Sequence, residues 1–471
     1  MITDWRTSFD RMKIVLAVFC ALTTLRGFAQ QPLVRATKPL ATIRVGHSRP
    51  KNNWSILPAT RPDVYEANVE GTATNVEFIT DIDSITFSLK PGQTYPFVVL
   101  LNGRDSAFTE VKGVVYTKPA RFTESYKKAN DGKTRLEIPP VYELVNVLLA
   151  LTPTCQSDSG IVSRQPPYYP AVMHRFTTYL DEPIINLMDS LVKAGRYFDI
   201  KTDAYAFDYD PQGHIIRSTI YDRINWGRAN SLLPYVHWLQ QFSDKVNFLQ
   251  FYLDNQAIYT AQIQTYHDSL QVGEMVTWLN RNFPTTRYNV FKVIWSPLVG
   301  NNQSATWLED NGFREMQAHV NFPYRAMTDL IGVSTRSNRV KRGNIVFTEI
   351  NHAFINPEGE KSTYAEGINR AFANVSKWAE GLALKNYGNA YACFNEYLNW
   401  GLVSLRYLDY ADGSDLGKLS ANVETAMVKR RGFYRFADFN RYLIGLYQTR
   451  KSGDTIADLY PQIVDWFVRQ K

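Results

Sequence analysis

The sequence predicts an α+β protein in which a small N-terminal β-sandwich-like domain precedes a larger, mostly helical one. Two observations carry this. Between residues 85 and 115 apolar and polar residues alternate with the period of a half-buried strand, around an Asn102-Gly103 hairpin signal. Beyond Pro139-Pro140 the pattern changes to long stretches with helical spacing. A chain of 471 residues has room for two or three domains, and at 45% hydrophobic and 21% charged it does not have the composition of a disordered polymer.

The elements follow in order. Residues 1–29 read as an export signal: Met12-Lys13 precede the apolar run Ile14 to Leu25, and Arg26-Gly27-Phe28-Ala29 offers small residues for cleavage after Ala29. Met12 is the expected start. The run is short for a bilayer span and no later stretch reads as one, so no stable membrane span is expected once the signal is removed. Residues 30–135 read as β-rich. Ile85 to Leu89 alternates, Lys90-Pro91-Gly92-Gln93 turns, and Tyr95 to Leu101 is a nearly continuous apolar run expected to be buried on both faces. In the remaining domain, residues 136–471, Val141 to Leu151 has helical length, and 153–170 reads as a surface loop. Stretches 171–195 and 229–285 read as amphipathic helices, Tyr288 to Trp295 as a strand and Met316 to Val320 as a further one. Gly343 to Ile355, Tyr364 to Leu384, Ala390 to Leu408 and Asp438 to Tyr447 return to helix.

Charge excludes little. Loss of residues 1–29 removes Arg6, Arg11, Lys13 and Arg26 with Asp4 and Asp10, which lowers the formal charge from +7 to +5. Arg336, Arg339, Lys341 and Arg342 form the densest basic run. Such a run can touch phosphate but more often is a solvated loop, and no nucleic-acid motif accompanies it. Cys155 and Cys393 remain, with a disulfide and two free thiols both open.

The stretch "FTEINHAFINP", Phe347 to Pro357, is the chemical signal. It matches the zinc-peptidase pattern H-E-x-x-H with Thr348 in place of the first histidine. Residues four apart share a helix face, so two histidines there can grip one ion while the glutamate activates bound water. A threonine hydroxyl is a weak ligand for zinc. Glu349 and His352, three apart, still point to one side, and Glu396, a carboxylate in an apolar helical stretch, is the candidate third group. The structural alternatives are a hydrogen-bonded core histidine at 352, a surface or ion-paired glutamate at 349, and Glu396 paired with Arg370, Arg430 or Arg431. His174, His237, His267 and His319 are scattered singles with structural roles expected, one of them a remote candidate to replace the missing ligand.

The stretches ITFSLKPGQTYPFVVLLNGRDSAFTEV (85–111), IPPVYELVNVLLALT (138–152), FTEINHAFINP (347–357), FNEYLNWGLVSL (394–405) and KRRGFYRFADF (429–439) resemble a bacterial family of secreted proteins with a domain of unknown function, zincin-like and suspected to be metallopeptidases. The resemblance implies a zincin-like domain over 136–471, with Glu349 as general base and His352 and Glu396 as metal ligands. It also implies a helix-ending turn at Asn356-Pro357. The ion would be zinc or another divalent metal, with an ion-free cleft as the alternative. The implied substrate is a peptide or protein. Thr348 departs from the pattern and puts metal and catalysis in doubt. The competing function is a non-catalytic binder of peptide, glycan or envelope protein. The implied location is the periplasm, the outer envelope or the exterior. No nucleic-acid partner is expected.

Overall fold

The computed structural model describes residues 31–46, 51–59, 62–158 and 160–470, so the expected signal at 1–29 lies outside the described residues. The chain divides into two compact units between Tyr116 and Thr117.

The first unit is a sandwich of two four-stranded sheets built from β1 (Leu33–Ala36), β2 (Leu40–Val45), β3 (Lys51–Ser55), β4 (Asp63–Asn68), β5 (Thr74–Ile79), β6 (Ser84–Leu89), β7 (Thr94–Leu101) and β8 (Asp105–Val114). The orders are β1-β7-β8-β4 and β3-β2-β5-β6. Both sheets contribute to one core, in which Phe78 of β5 meets Phe97 of β7 edge to face at 4.9 Å. Strand β7 is not buried on both faces: Phe97, Val99 and Leu101 point inward, while Val98 and Leu100 are half-buried. The Asn102-Gly103 turn takes left-handed backbone at both residues (φ 54° and 67°), the twist a tight hairpin between β7 and β8 needs. Gly113 is required where a Cβ would lie 2.2 Å from the Lys90 carbonyl.

The second unit begins at Thr117, earlier than the boundary of 135 that the sequence predicts. The reason is that Glu124–Asn130 is a helix and Lys133–Glu137 forms strand β9, which pairs in this unit's sheet. After a ribbon of β10 (Phe207–Tyr209) and β11 (Ile215–Arg217) come β12 (Val290–Trp295), β13 (Ser304–Asp310) and β14 (Phe313–Val320). The sheet runs β13-β14-β12-β9, with β9, β12 and β14 parallel and β13 antiparallel to β14. All six residues of β12 are buried, as a central parallel strand demands. Its Lys292 ammonium donates to the Tyr205 and Tyr221 hydroxyls at 2.7 and 2.9 Å. Tyr221 in turn donates to Glu315 at 2.8 Å. Because β12 lies between β9 and β14, it has no edge for an added peptide; the open edges belong to β13 and β9.

Helices cover this sheet and fill the rest of the unit. Those that matter below are α1 (Pro140–Leu151), α2 (Tyr197–Asp203), α3 (Val272–Asn282), α4 (Thr335–Arg342), α5 (Asn344–Gly359) and α6 (Ala390–Tyr410). Helix α1 starts with proline in its first turn and is buried at every residue from Val141 on. Helix α5 lays Phe347, Ile350 and Phe354 into the core; Phe354 stacks on Phe291 of β12 at 6.0 Å and Phe347 meets Trp278 of α3 at 5.5 Å. Each such ring contributes about 2–3 kcal/mol by burial. The helix does not end at Asn356-Pro357 but continues to Gly359 with Pro357 inside it. Proline cannot bond the carbonyl four residues back, and the Tyr288 hydroxyl donates to that Ala353 oxygen instead, at 3.1 Å. The 153–170 loop contains a short helix, Pro153–Ser157. Cys155 and Cys393 are both buried and free.

Candidate functional site

Helix α5 carries Glu349 and His352 on one face, three residues apart, and α6 packs against it. Helix α6 is capped by Asn389, whose side chain accepts from the Ala392 amide at 2.8 Å, and it presents Glu396, Asn399 and Trp400 toward the same region. An asparagine pair bridges the helices: the Asn351 amide donates to Asn399 Oδ1 at 3.2 Å.

His352 is fixed at both nitrogens. The Asn399 amide lies 3.1 Å from Nε2, and Asn356 Oδ1 lies 3.3 Å from Nδ1. A donating Asn399 makes Nε2 the acceptor and puts the proton on Nδ1, where Asn356 receives it; this tautomer follows from the bonding pattern. Glu396 Oε2 stands 3.8 Å from Nε2, and the ring is 23% exposed.

Glu396 is 3% exposed, and its partners converge on one oxygen. Arg431 meets Oε1 at 2.6 Å, and the Trp400 indole donates to the same oxygen at 3.0 Å. Arg431 also donates to the Tyr387 hydroxyl at 2.9 Å and lies over the rings of Trp400 and Phe433. Burial alone would depress the Arg431 pKa, but Glu396 and Tyr387 together more than offset this and its pKa is raised.

Glu349 is partly exposed and makes no hydrogen bond or ion pair among the described residues. Burial pushes its carboxyl up to about 7, with Glu396 adding to the rise and His352, Lys201 and Arg431 opposing it. Lys201 of α2 is buried, donates to the Asn302 carbonyl at 2.6 Å, and is pushed down to about 7 by burial against the pull of Glu349. Thr348 turns away: it is 3% exposed and its hydroxyl donates to the Ile345 carbonyl at 2.8 Å.

The fold thus brings His352 and Glu396 together and sets Glu349 within electrostatic reach of both. The residues present do not fit a zinc ion. Thr348 spends its hydroxyl on its own helix, the His352 Nε2 lone pair receives Asn399, and a guanidinium holds the Glu396 carboxylate. Among the described residues no group of three or more His, Cys, Asp or Glu side chains is arranged to hold a metal. His319 does not supply the missing ligand: it is buried in the sheet, 3.1 Å from Gln317 Oε1. What remains is a carboxyl whose pKa burial raises to about 7, within electrostatic reach of Arg431. Sequence reasoning placed Arg431 among several possible partners of Glu396 and did not find Lys201 or Asn399. Only the i, i+4 spacing of Glu396 and Trp400 could have signalled part of this arrangement.

Comparison of the chain with family models, with curated proteins and with solved structures gave no match. Among the described residues no helix is long and apolar enough to cross a membrane.

Proposed function

We propose that the protein is an exported, zincin-like relative of metallopeptidases that binds a peptide or envelope-protein segment without zinc-dependent hydrolysis. The Arg431–Glu396 contact at 2.6 Å carries the reading, because it puts a permanent protein cation on the carboxylate that the family resemblance assigns to the ion. The withdrawn hydroxyl of Thr348 supports it. Peptide as the ligand class is supported by β13, an edge strand beside α5 whose Trp307 is 42% exposed, since an open edge accepts an extended chain by backbone pairing. Export rests on the apolar run Ile14 to Leu25 alone.

Zinc equilibration followed by dialysis and metal quantification is the test. The wild-type chain is expected to retain far less than one zinc per molecule. The Thr348→His/Arg431→Met double variant is expected to gain zinc, since it restores the histidine and removes the competing cation. Stoichiometric zinc in the wild type, or peptide hydrolysis abolished by Glu349→Gln, would overturn the proposal.

A further inference from the structure

A second site lies elsewhere in the helical unit. A cleft of about 260 Å³ is lined by Arg336 and Arg339 of α4, Arg406 of α6, and Gln271, Glu274 and Met275 at the start of α3. Arg406 follows Glu396 by ten residues on the same helix, about 15 Å along its axis, so this cleft is separate from the Glu349 region.

Arg406 is the unusual member. It is 6% exposed, yet no carboxylate pairs with it among the described residues. One of its nitrogens donates to the Val340 carbonyl at 3.0 Å, and the guanidinium lies 5.0 Å over the Phe347 ring. The other Arg406 nitrogens have no acceptor on the protein among the described residues and are not sealed from solvent, so their donors are open to a ligand. Arg339, half-buried on the same wall, makes no hydrogen bond or ion pair among the described residues; its charge repels that of Arg406, less strongly than Glu274 attracts it. Arg336 is anchored by its Nε to the Tyr410 carbonyl at 2.8 Å and stands 3.7 Å from Asp412. Against three guanidiniums the cleft has one lining carboxylate, Glu274, which accepts from Gln271 at 3.2 Å.

The other cations of the run are accounted for structurally. Arg342 grips both oxygens of Asp329 at 3.0 and 2.9 Å, and Lys341 donates to the Thr328 carbonyl. The basic run therefore divides, with two residues holding the fold and two facing an opening that contains a buried, under-paired third.

We propose that this cleft binds a phosphate-type oxyanion, free or carried on a small phosphomonoester, through Arg339 and Arg406 with Arg336 at its rim. Like-charged guanidiniums crowded around a cavity are stabilised by a di-anion that accepts from several of them at once, and planar forks suit tetrahedral oxyanions.

Calorimetric titration of the purified full-length chain with inorganic phosphate, at ionic strength held constant with chloride, tests this. Saturable binding with a Kd of about 1 mM or tighter is expected. Arg339→Ala, at a half-exposed position, should weaken binding about tenfold, the worth of one charge-assisted contact, and Arg441→Ala on an exposed face should not change it. Arg406→Met should weaken it at least as much if the variant folds, and Arg339→Ala decides the matter if it does not. A parallel titration with glycerol phosphate distinguishes the sources: tighter binding of the ester assigns a phosphomonoester, and tighter binding of inorganic phosphate assigns the free ion. No saturation with either up to about 10 mM, or equal affinity in Arg339→Ala and wild type, would overturn the proposal.

Discussion

Arg431→Ala should destabilise the helical unit because it strands a buried carboxylate. Glu396 has a side chain 4% exposed and rests on two donors, Arg431 at 2.6 Å and Trp400 at 3.0 Å. Removing one partner of a buried ion pair costs about 3–5 kcal/mol. The Arg431 side chain is 27% exposed and the Trp400 bond survives, so the lower end applies, about 3 kcal/mol. Glu396→Gln should cost less, about 1–2 kcal/mol, since the guanidinium left behind can reach water and an amide oxygen can still accept from it. The double variant should then be less destabilised than the two costs added, with a coupling of about 1–2 kcal/mol. Urea unfolding followed by tryptophan fluorescence reads all four proteins. Arg431→Ala within about 0.5 kcal/mol of wild type, or strict additivity in the double variant, would show that the contact does not carry the charge balance assigned to it.

Glu349→Gln should change how stability depends on acidity. The folded chain holds the Glu349 proton up to about pH 7 and an unfolded carboxyl releases it near 4.5, so this group's contribution is complete below 4.5 and is lost as pH rises through 7. The loss is about 2 kcal/mol after allowance for partial exposure; unfolding curves of wild type and variant that stay parallel from pH 4.5 to 7 would contradict the burial assigned to the carboxyl. Lys201→Met should remove the opposite slope, a gain in stability between about 7 and 10.5, measured in the same way. Phe354→Ala, which empties the contact between α5 and β12, should cost about 3–5 kcal/mol in chemical unfolding. Cys155 and Cys393 should resist a thiol reagent in the native protein and react only after denaturation; rapid native labelling would contradict their burial, which also raises both thiol pKa values.

The sandwich was legible because its signals are local. Alternation at 85–89 and Asn102-Gly103 specify a hairpin by themselves, and β6, β7 and β8 form close to where the pattern puts them. Helices α1, α5 and α6 were legible for the same reason. The misreadings are non-local. The polar stretch 127–133 reads as the turn-like end of the β-rich domain; most of it lies in the helix Glu124–Asn130, and Lys133–Glu137 becomes a strand because β12, more than 150 residues later, offers it a parallel partner. Tyr288 to Trp295 is readable as a strand, but its interior place depends on β9 and β14. At the site, the pair Glu349 and His352 follows from helix geometry, and Glu396 from the cost of a carboxylate among apolar neighbours. That Arg431, and not Arg370 or Arg430, answers that cost is a matter of how the chain near Gly432 is placed against α6, which no spacing rule encodes.

Thr348 and Arg431 are better understood together than singly. A carboxyl as buried as Glu396 costs free energy unless it is protonated, hydrogen-bonded or paired with a cation, whether a metal or a side chain. Losing the first histidine of the pattern would weaken an ion's grip and leave Glu396 exposed to its own desolvation cost, unless another positive charge were already within reach. Arg431 meets that need with a fixed charge and a planar fork that aromatic rings on either side hold in place. With the guanidinium seated, placing a histidine at 348 alone would give an ion two competitors, Arg431 for Glu396 and Asn399 for the His352 lone pair. The single variant Thr348→His should therefore stay nearly zinc-free, and only removal of Arg431 with it should open the site. Full zinc occupancy in Thr348→His alone would mean that Arg431 is a bystander and that the charge-replacement argument is wrong.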